Sequence, residues 1–328
     1  MPRFSFLFSF SILFLLPYTT ISQSAGYKST CAVTYDSSYS FSYVDQQGNI
    51  HVLGTLPSSW SLITGGDIAI IDNQTYWVTP GDGNDEQEDS YAYVTVQSSS
   101  KATVTSGKIS NAPGYSGLPN VRELHYDNLD KQVMAIISAG NTTLLVNIEN
   151  NGTISKVYEN INKFWNALDW NKFGVSYYDS LTKEYTLVGG YHTQSEQLVS
   201  VSINNESNIN IINVPDNIDC LGIAKWNNTF IALTMDTKTQ EDMQISYYSP
   251  ITKAWAPLYA YPKDYTWGSM GTLDISGDQT TLVTIVETSN GPVLSYIDLI
   301  HQKEILEVNY IQHGYSLVDI AFCETISY

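Results

Sequence analysis

Long apolar runs are missing from this 328-residue chain once its first 24 residues are passed. Apolar residues at helical spacing are missing too. The first absence excludes a later membrane-spanning helix, and the second excludes a helical bundle. Positive charge is also short: 15 basic residues stand against 33 acidic ones, a net charge of −18. Such a surface repels nucleic acid and anionic lipid, so neither is an expected partner. It suits cations, basic proteins or an acidic compartment, whose protons would neutralise part of the excess. The five histidines, His51, His125, His192, His301 and His313, show no metal-ligand spacing. No Gly-x-Ser-x-Gly elbow and no phosphate-cradling glycine loop is present. No catalytic residue is assigned on these grounds, and no cofactor is expected unless calcium binds as described below.

What the chain does have is alternation. Val175 to Pro215 reads VSYYDSLTKEYTLVGG, a polar link, then QLVSVSINNESNINIINVP. Runs of β-branched and aromatic residues between Gly, Asn and Ser breaks are the mark of strands and hairpins. The stretch is therefore two hairpins in a row. The pattern recurs roughly every 50 residues, a period that means stacked or radial repeats. YDNLDKQVMAI and YDSLTKEYTLV match closely enough to set the register of the units. Four strands per unit and six units predict an all-β, six-bladed β-propeller. SLVDIAFCETISY, at the end, reads as a first strand without its continuation. TCAVTYDSS and YSFSYVDQQGNIHVLGTL, near the start, read as the missing later strands. The first blade is thus expected to be shared between the two termini, which pairs two otherwise exposed edges.

Residues 1–24 read as a signal peptide: Arg3, an apolar run from Phe4 to Leu16, then small residues. Residues 25–328 form the single expected propeller domain, secreted or delivered to a lysosome-like lumen. Five Asn-x-Ser/Thr acceptors fit that route: Asn73, Asn141, Asn151, Asn205 and Asn227. In a propeller the turns within hairpins share one face, and the other connections share the opposite face. Asn73, Asn151, Asn205 and Asn227 fall in hairpin turns and only Asn141 in a connection on the other face, so glycans would crowd one face and leave the other mostly free. Of the three cysteines, Cys31 opens a strand and Cys323 ends its neighbour in the shared blade. A disulfide there would close nearly the whole chain, worth ~4 kcal/mol on the loop-entropy argument. Cys220 is left as a small buried residue.

YTLVGGY and YYSPITKAWAPL carry the Gly-Gly and Tyr-Pro-Thr-Trp spacing of kelch repeats, and in this the chain resembles that propeller family. Gly65-Gly66 is the other glycine pair, standing before its strand. The resemblance implies the fold and no functional residue.

The connections opposite the hairpin turns collect Trp60, Tyr115, Phe164, Trp165, Trp170, Tyr265, Trp267 and Tyr315. Exposed rings suit sugar stacking or a protein partner, and the same rings suit wedge-shaped core between blades. Trp60, Tyr115, Trp165, Trp170, Tyr265 and Trp267 are the candidate ligand contacts. The loop PGDGNDEQEDS offers hard oxygen donors for Ca²⁺, with Asp82, Asn84, Asp85 and Glu86 foremost; as a plain solvated loop it would look the same. Asp67, Glu123, Asp219 and Asp319 lie near the starts of inner strands. They could converge on the channel as a cation ring or a general acid, or simply line it. The expectation is a monomeric, non-catalytic binding propeller for a glycoconjugate or extracellular protein. The alternative is a hydrolase or lactonase using channel carboxylates, with or without Ca²⁺.

Overall fold

A computed structural model describes residues 29–60, 67–80, 90–115, 120–139, 142–158, 175–189, 196–239, 242–267, 273–310 and 316–323. The leader, the calcium-candidate loop, Asn141, Phe164, Trp165, Trp170 and Tyr315 lie outside the described residues. Among the described residues all regular structure is β-strand, and no helix is long and apolar enough to cross a membrane.

The strands form six antiparallel sheets. Blade 1 holds β1 (Thr30–Tyr35), β2 (Tyr39–Val44) and β3 (Ile50–Thr55). Blade 2 holds β4 (Asp67–Asp72), β5 (Thr75–Thr79), β6 (Tyr91–Ser98) and β7 (Lys101–Gly107). Blade 3 holds β8 (Asn120–Asp127), β9 (Gln132–Ala139), β10 (Thr142–Ile148) and β11 (Ile154–Val157). Blade 4 holds β12 (Ser176–Asp179), β13 (Glu184–Gly189), β14 (Gln197–Ser202) and β15 (Ile209–Asn213). Blade 5 holds β16 (Ile218–Trp226), β17 (Thr229–Asp236), β18 (Gln244–Ser249) and β19 (Ala254–Ala260). Blade 6 has its inner position divided between β20 (Thr266–Trp267) and β21 (Leu273–Ile275), both paired to β22 (Thr281–Thr288). β23 (Gly291–Asp298) and β24 (Lys303–Asn309) complete it.

The last strand, β25 (Ser316–Phe322), returns to blade 1 and pairs with β1, Cys31 lying opposite Ala321. Successive inner strands β25, β4, β8, β12, β16 and β21 touch one another in turn, and β21 touches β25. The circle is closed, and the shared blade is where the sequence placed it. Cys31 and Cys323 form a disulfide across that closure, with Cα atoms 5.4 Å apart.

Period-two alternation explains the core. Leu144, Val146 and Ile148 of β10 face the gap toward blade 2, while Leu145 between them faces blade 4. Likewise Ile231, Leu233 and Met235 of β17 pack toward blade 6, and Ala232 toward blade 4. Each blade is apolar on both faces because it has a neighbour on each side. The result is six apolar clusters, one in each gap of the ring. Cys220 is 1% exposed within one of them.

The matching YDNLDK and YDSLTK segments are one turn used repeatedly. Asp127 Oδ1 accepts the amides of Leu129 and Asp130, and Asp179 Oδ1 those of Leu181 and Thr182. Each turn then passes through a left-handed lysine, Lys131 at φ 57° or Lys183 at φ 56°. The β18–β19 and β23–β24 turns repeat the device with Lys253 and Gln302 at φ 53° and 55°. Asparagine's tolerance of positive φ serves the two-residue β16–β17 turn, where Asn227 and Asn228 have φ of 47° and 61°, the primed geometry that suits strand twist.

Candidate functional site

Each inner strand carries an acidic or hydroxyl residue near the same level: Asp319, Asp67, Glu123, Ser176, Asp219 and Asp274 in order round the ring. Four were read from the sequence as channel carboxylates; Ser176 and Asp274 were not. Their recurrence in VDIA, GDIA, IDCL and LDIS is the signal that would have found Asp274.

Three of these carboxylates bind backbone. Asp319 of blade 1 accepts the amide of Ile68 in blade 2 at 2.8 Å. Asp67 of blade 2 accepts the amide of Leu124 in blade 3. Asp274 of blade 6 accepts the amide of Phe322 in blade 1 at 2.8 Å. Each of the three also accepts the amide of the residue that follows it. An inner strand has no further partner toward the axis, so its free N–H groups need acceptors. Here the neighbouring blade's aspartate supplies them and ties one spoke to the next. Glu196 does the same from blade 4, accepting the Cys220 amide of blade 5 at 2.8 Å.

Asp67 and Asp319 also share a hydrogen bond with each other. Burial pushes the Asp67 carboxyl up to about 6. Burial, then the charge of Asp67, pushes Asp319 well above the usual carboxylate range. Two buried carboxyls this close cannot both be charged cheaply, so one proton is held between them.

A second cluster joins blades 3 and 4. Ser176 Oγ lies 2.6 Å from His125 Nε2, donates to Glu123 Oε2 at 2.8 Å, and meets the Tyr185 hydroxyl at 3.2 Å. A serine hydroxyl donates once and accepts twice, so these contacts use its full capacity. Burial holds the His125 imidazole down at about 3 and keeps it neutral. Burial and then the Glu123 charge raise Tyr185 well above its ordinary value.

Nearer the hairpin-turn face, ion pairs take over. Lys183 Nζ lies 2.5 Å from Asp127 Oδ2 and 2.9 Å from Asp130 Oδ2, joining blade 4 to blade 3. The Tyr178 hydroxyl also donates to Asp127, at 2.6 Å. Lys225 of blade 5 pairs with Asp179 of blade 4. Burial works against ionisation of Asp127, but hydrogen bonds from Lys183 and Tyr178 outweigh it and leave its carboxyl below the ordinary range.

The aromatic contacts expected from the sequence fare differently. Trp60 is a correction: it is 5% exposed and packs with Tyr39 in the gap between blades 1 and 2, because that gap needs a large apolar wedge. Tyr115 is half-buried against the core between blades 2 and 3. Tyr265 stacks on Tyr261 at 5.6 Å and donates its hydroxyl to Glu307, which occupies both its face and its tip. The Trp267 backbone pairs with Val286 in β20, so this part of the connection is strand; its side chain lies outside the described residues. The four described acceptor asparagines, Asn73, Asn151, Asn205 and Asn227, are all exposed in hairpin turns. Among the described residues no group of three or more potential metal ligands gathers.

No family model and no curated protein matches the chain. Solved structures do. A chain of a nidogen/laminin complex is 12% identical, with 92% of this chain and 99% of that one covered, at a TM-score of 0.57. A protein described as a TolB from Agrobacterium tumefaciens is 10% identical over 90% and 99%, at 0.53. An exo-β-1,3-galactanase from Phanerochaete chrysosporium, with a β-1,3-galactotriose bound, is 11% identical over 83% and 70%, at 0.51. At such identities the likeness is one of fold: the chain is a β-propeller.

Proposed function

We propose that this chain is a secreted or lumenal glycoprotein whose propeller binds an extracellular protein without catalysis. The observation that carries the reading is the segregation of its acceptor asparagines. All four described ones stand exposed on the hairpin-turn face, and the sequence puts only Asn141 in a connection on the other, which leaves that face mostly open to a partner. Two further points support it. Asp67, Asp274 and Asp319 are engaged in holding blades together. Trp60 and Tyr265 are occupied by the protein's own packing, which removes two of the rings on which a sugar would stack. The charge of −18 suits a basic one. A nidogen/laminin complex among the similar folds is in keeping with a protein-binding role.

The test is expression of the full chain in a secreting host. Recovery from the medium, with a mass loss on N-glycosidase treatment at Asn73, Asn151, Asn205 and Asn227, is the expected result. Retention in the cytosol without modification would sink the reading. A glycan array on the same material separates the partner classes, since specific glycan binding would favour a glycoconjugate.

A hydrolase or lactonase using a channel carboxylate is the second reading, favoured by the Ser176 hydroxyl donating to Glu123 with His125 beside it. Turnover of p-nitrophenyl esters or lactones that disappears in Ser176→Ala and His125→Ala would establish it over the binding role.

A further inference from the structure

The outer strands of the six blades are sheet edges, and five of them carry a device that discourages pairing with another chain. β7 has Lys101, β11 has Lys156, β19 has Pro257, and β24 has Lys303, Glu304 and Glu307. β3 has His51, bonded to Asp45 at 2.8 Å, and a register shift beside it. β15 has none. Its sequence is INIIN, and Ile209 and Ile211 are 36% and 49% exposed.

The register of β15 fixes which of its backbone groups are free to pair. Ser202 N–H donates to the Asn208 carbonyl at 3.1 Å, and Val214 N–H to the Glu196 carbonyl at 2.8 Å. Antiparallel alternation then turns the amides and carbonyls of Asn210 and Ile212 inward to β14. Those of Ile209 and Ile211 point outward, where no described strand pairs with them. Asn213 closes the outward row, its carbonyl taking the Trp255 indole N–H at 3.2 Å.

We propose that β15 pairs antiparallel with β15 of a second copy of this chain, about a two-fold axis at Asn210. That register sets Ile209 opposite the partner's Ile211 and the reverse. It makes four intermolecular backbone hydrogen bonds, all from groups that face outward. The Asn213 carbonyl selects the same register: moving the axis by one residue to Ile211 would set Asn213 opposite the partner's Ile209 and call on that carbonyl, which the Trp255 indole already holds. β15 carries no charged residue, so two copies of a chain of net charge −18 can meet along it without repulsion between the paired strands. A single strand pair buries less than a standard interface, so the dimer is weak and concentration-dependent. The sequence had suggested a monomer.

Two measurements on the secreted, full-length chain decide it. In sedimentation velocity over a two-decade concentration series, the wild type is expected to shift toward dimer. Ile211→Lys should raise the dimer dissociation constant roughly tenfold or more, the cost of an edge lysine and a lost apolar contact. In the second, Asn210→Cys places two thiols opposite each other in a non-hydrogen-bonded pair, with Cα atoms about 4.5 Å apart and within disulfide range. It should form a covalent dimer on non-reducing gels, whereas Asn208→Cys should not. A monomer at every concentration without the Asn210→Cys cross-link overturns the proposal. Equal cross-linking of both cysteine variants overturns it too, since it would mean random collision.

Discussion

The two halves of the ring are fastened by different chemistry. Around the closure, blades 6, 1, 2 and 3 are tied by aspartates that accept backbone amides, with the Asp67–Asp319 proton held between blades 1 and 2. Across the ring, blades 3, 4 and 5 add lysine–aspartate pairs, Lys183 to Asp127 and Lys225 to Asp179, to a carboxylate–amide contact of their own, Glu196 with Cys220. Both halves have the same strands and the same apolar gaps, so packing does not distinguish them. Proton demand does. The buried Asp67–Asp319 pair on the closure side favours a bound proton, whereas Asp127 and Asp179 on the far side are held ionised by their lysines.

The largest effect should come from the far side. Asp127 has no side-chain exposure, so Lys183→Ala would leave a buried carboxylate without its cation. Breaking such a pair costs about 3–5 kcal/mol, measured by urea unfolding. A loss under 1 kcal/mol would mean that Tyr178 and the turn amides suffice by themselves. Next comes the closure. The double variant Cys31→Ser, Cys323→Ser should lose about 2–5 kcal/mol, and full stability in that variant would show that the β1–β25 ladder closes the ring unaided.

The smallest effect is the most specific. Asp67 has its carboxyl raised from 3.8 to about 6 on folding. A raised folded value adds stability that is complete below the unfolded value near 4 and is lost as pH climbs through 6. Asp319→Asn keeps an N–H donor toward Asp67 without needing a proton. Its melting temperature should therefore rise relative to wild type by a few degrees between pH 4 and 7.5. His125, held neutral down to about 3, destabilises both proteins equally on acidification, so it cancels from the difference. An offset independent of pH would remove the shared proton from the account. Asp127 behaves oppositely: its lowered carboxyl contributes above pH 4 and is lost as pH falls through its folded value.

Strand number, blade number and the shared first blade were legible because alternation at period two is written directly in the sequence. So was the Cys31–Cys323 bridge, once both residues fell at adjoining strand ends. The site was less legible. Trp60 stands in a connection and reads as exposed, yet the wedge between blades draws it inside. Ser176 carries no motif, and only the meeting of β8 and β12 gives it His125 and Glu123 as neighbours. The exposed Ile209 and Ile211 read as ordinary strand residues. They become an open edge only because β15 ends its sheet and has nothing paired beyond it.

The sequence by itself determined the periodicity: which side chains alternate, where turns fall, and where acidic residues recur along inner strands. Those are local properties, set by steric preference and hydrophobic pattern over a few residues. Only tertiary structure decided which blade's aspartate meets which blade's amide, which carboxyls must share a proton, and which outer edge is left bare. Those depend on contacts between residues far apart in the chain, such as Asp319 with Ile68, which the closing of the circle brings within 2.8 Å.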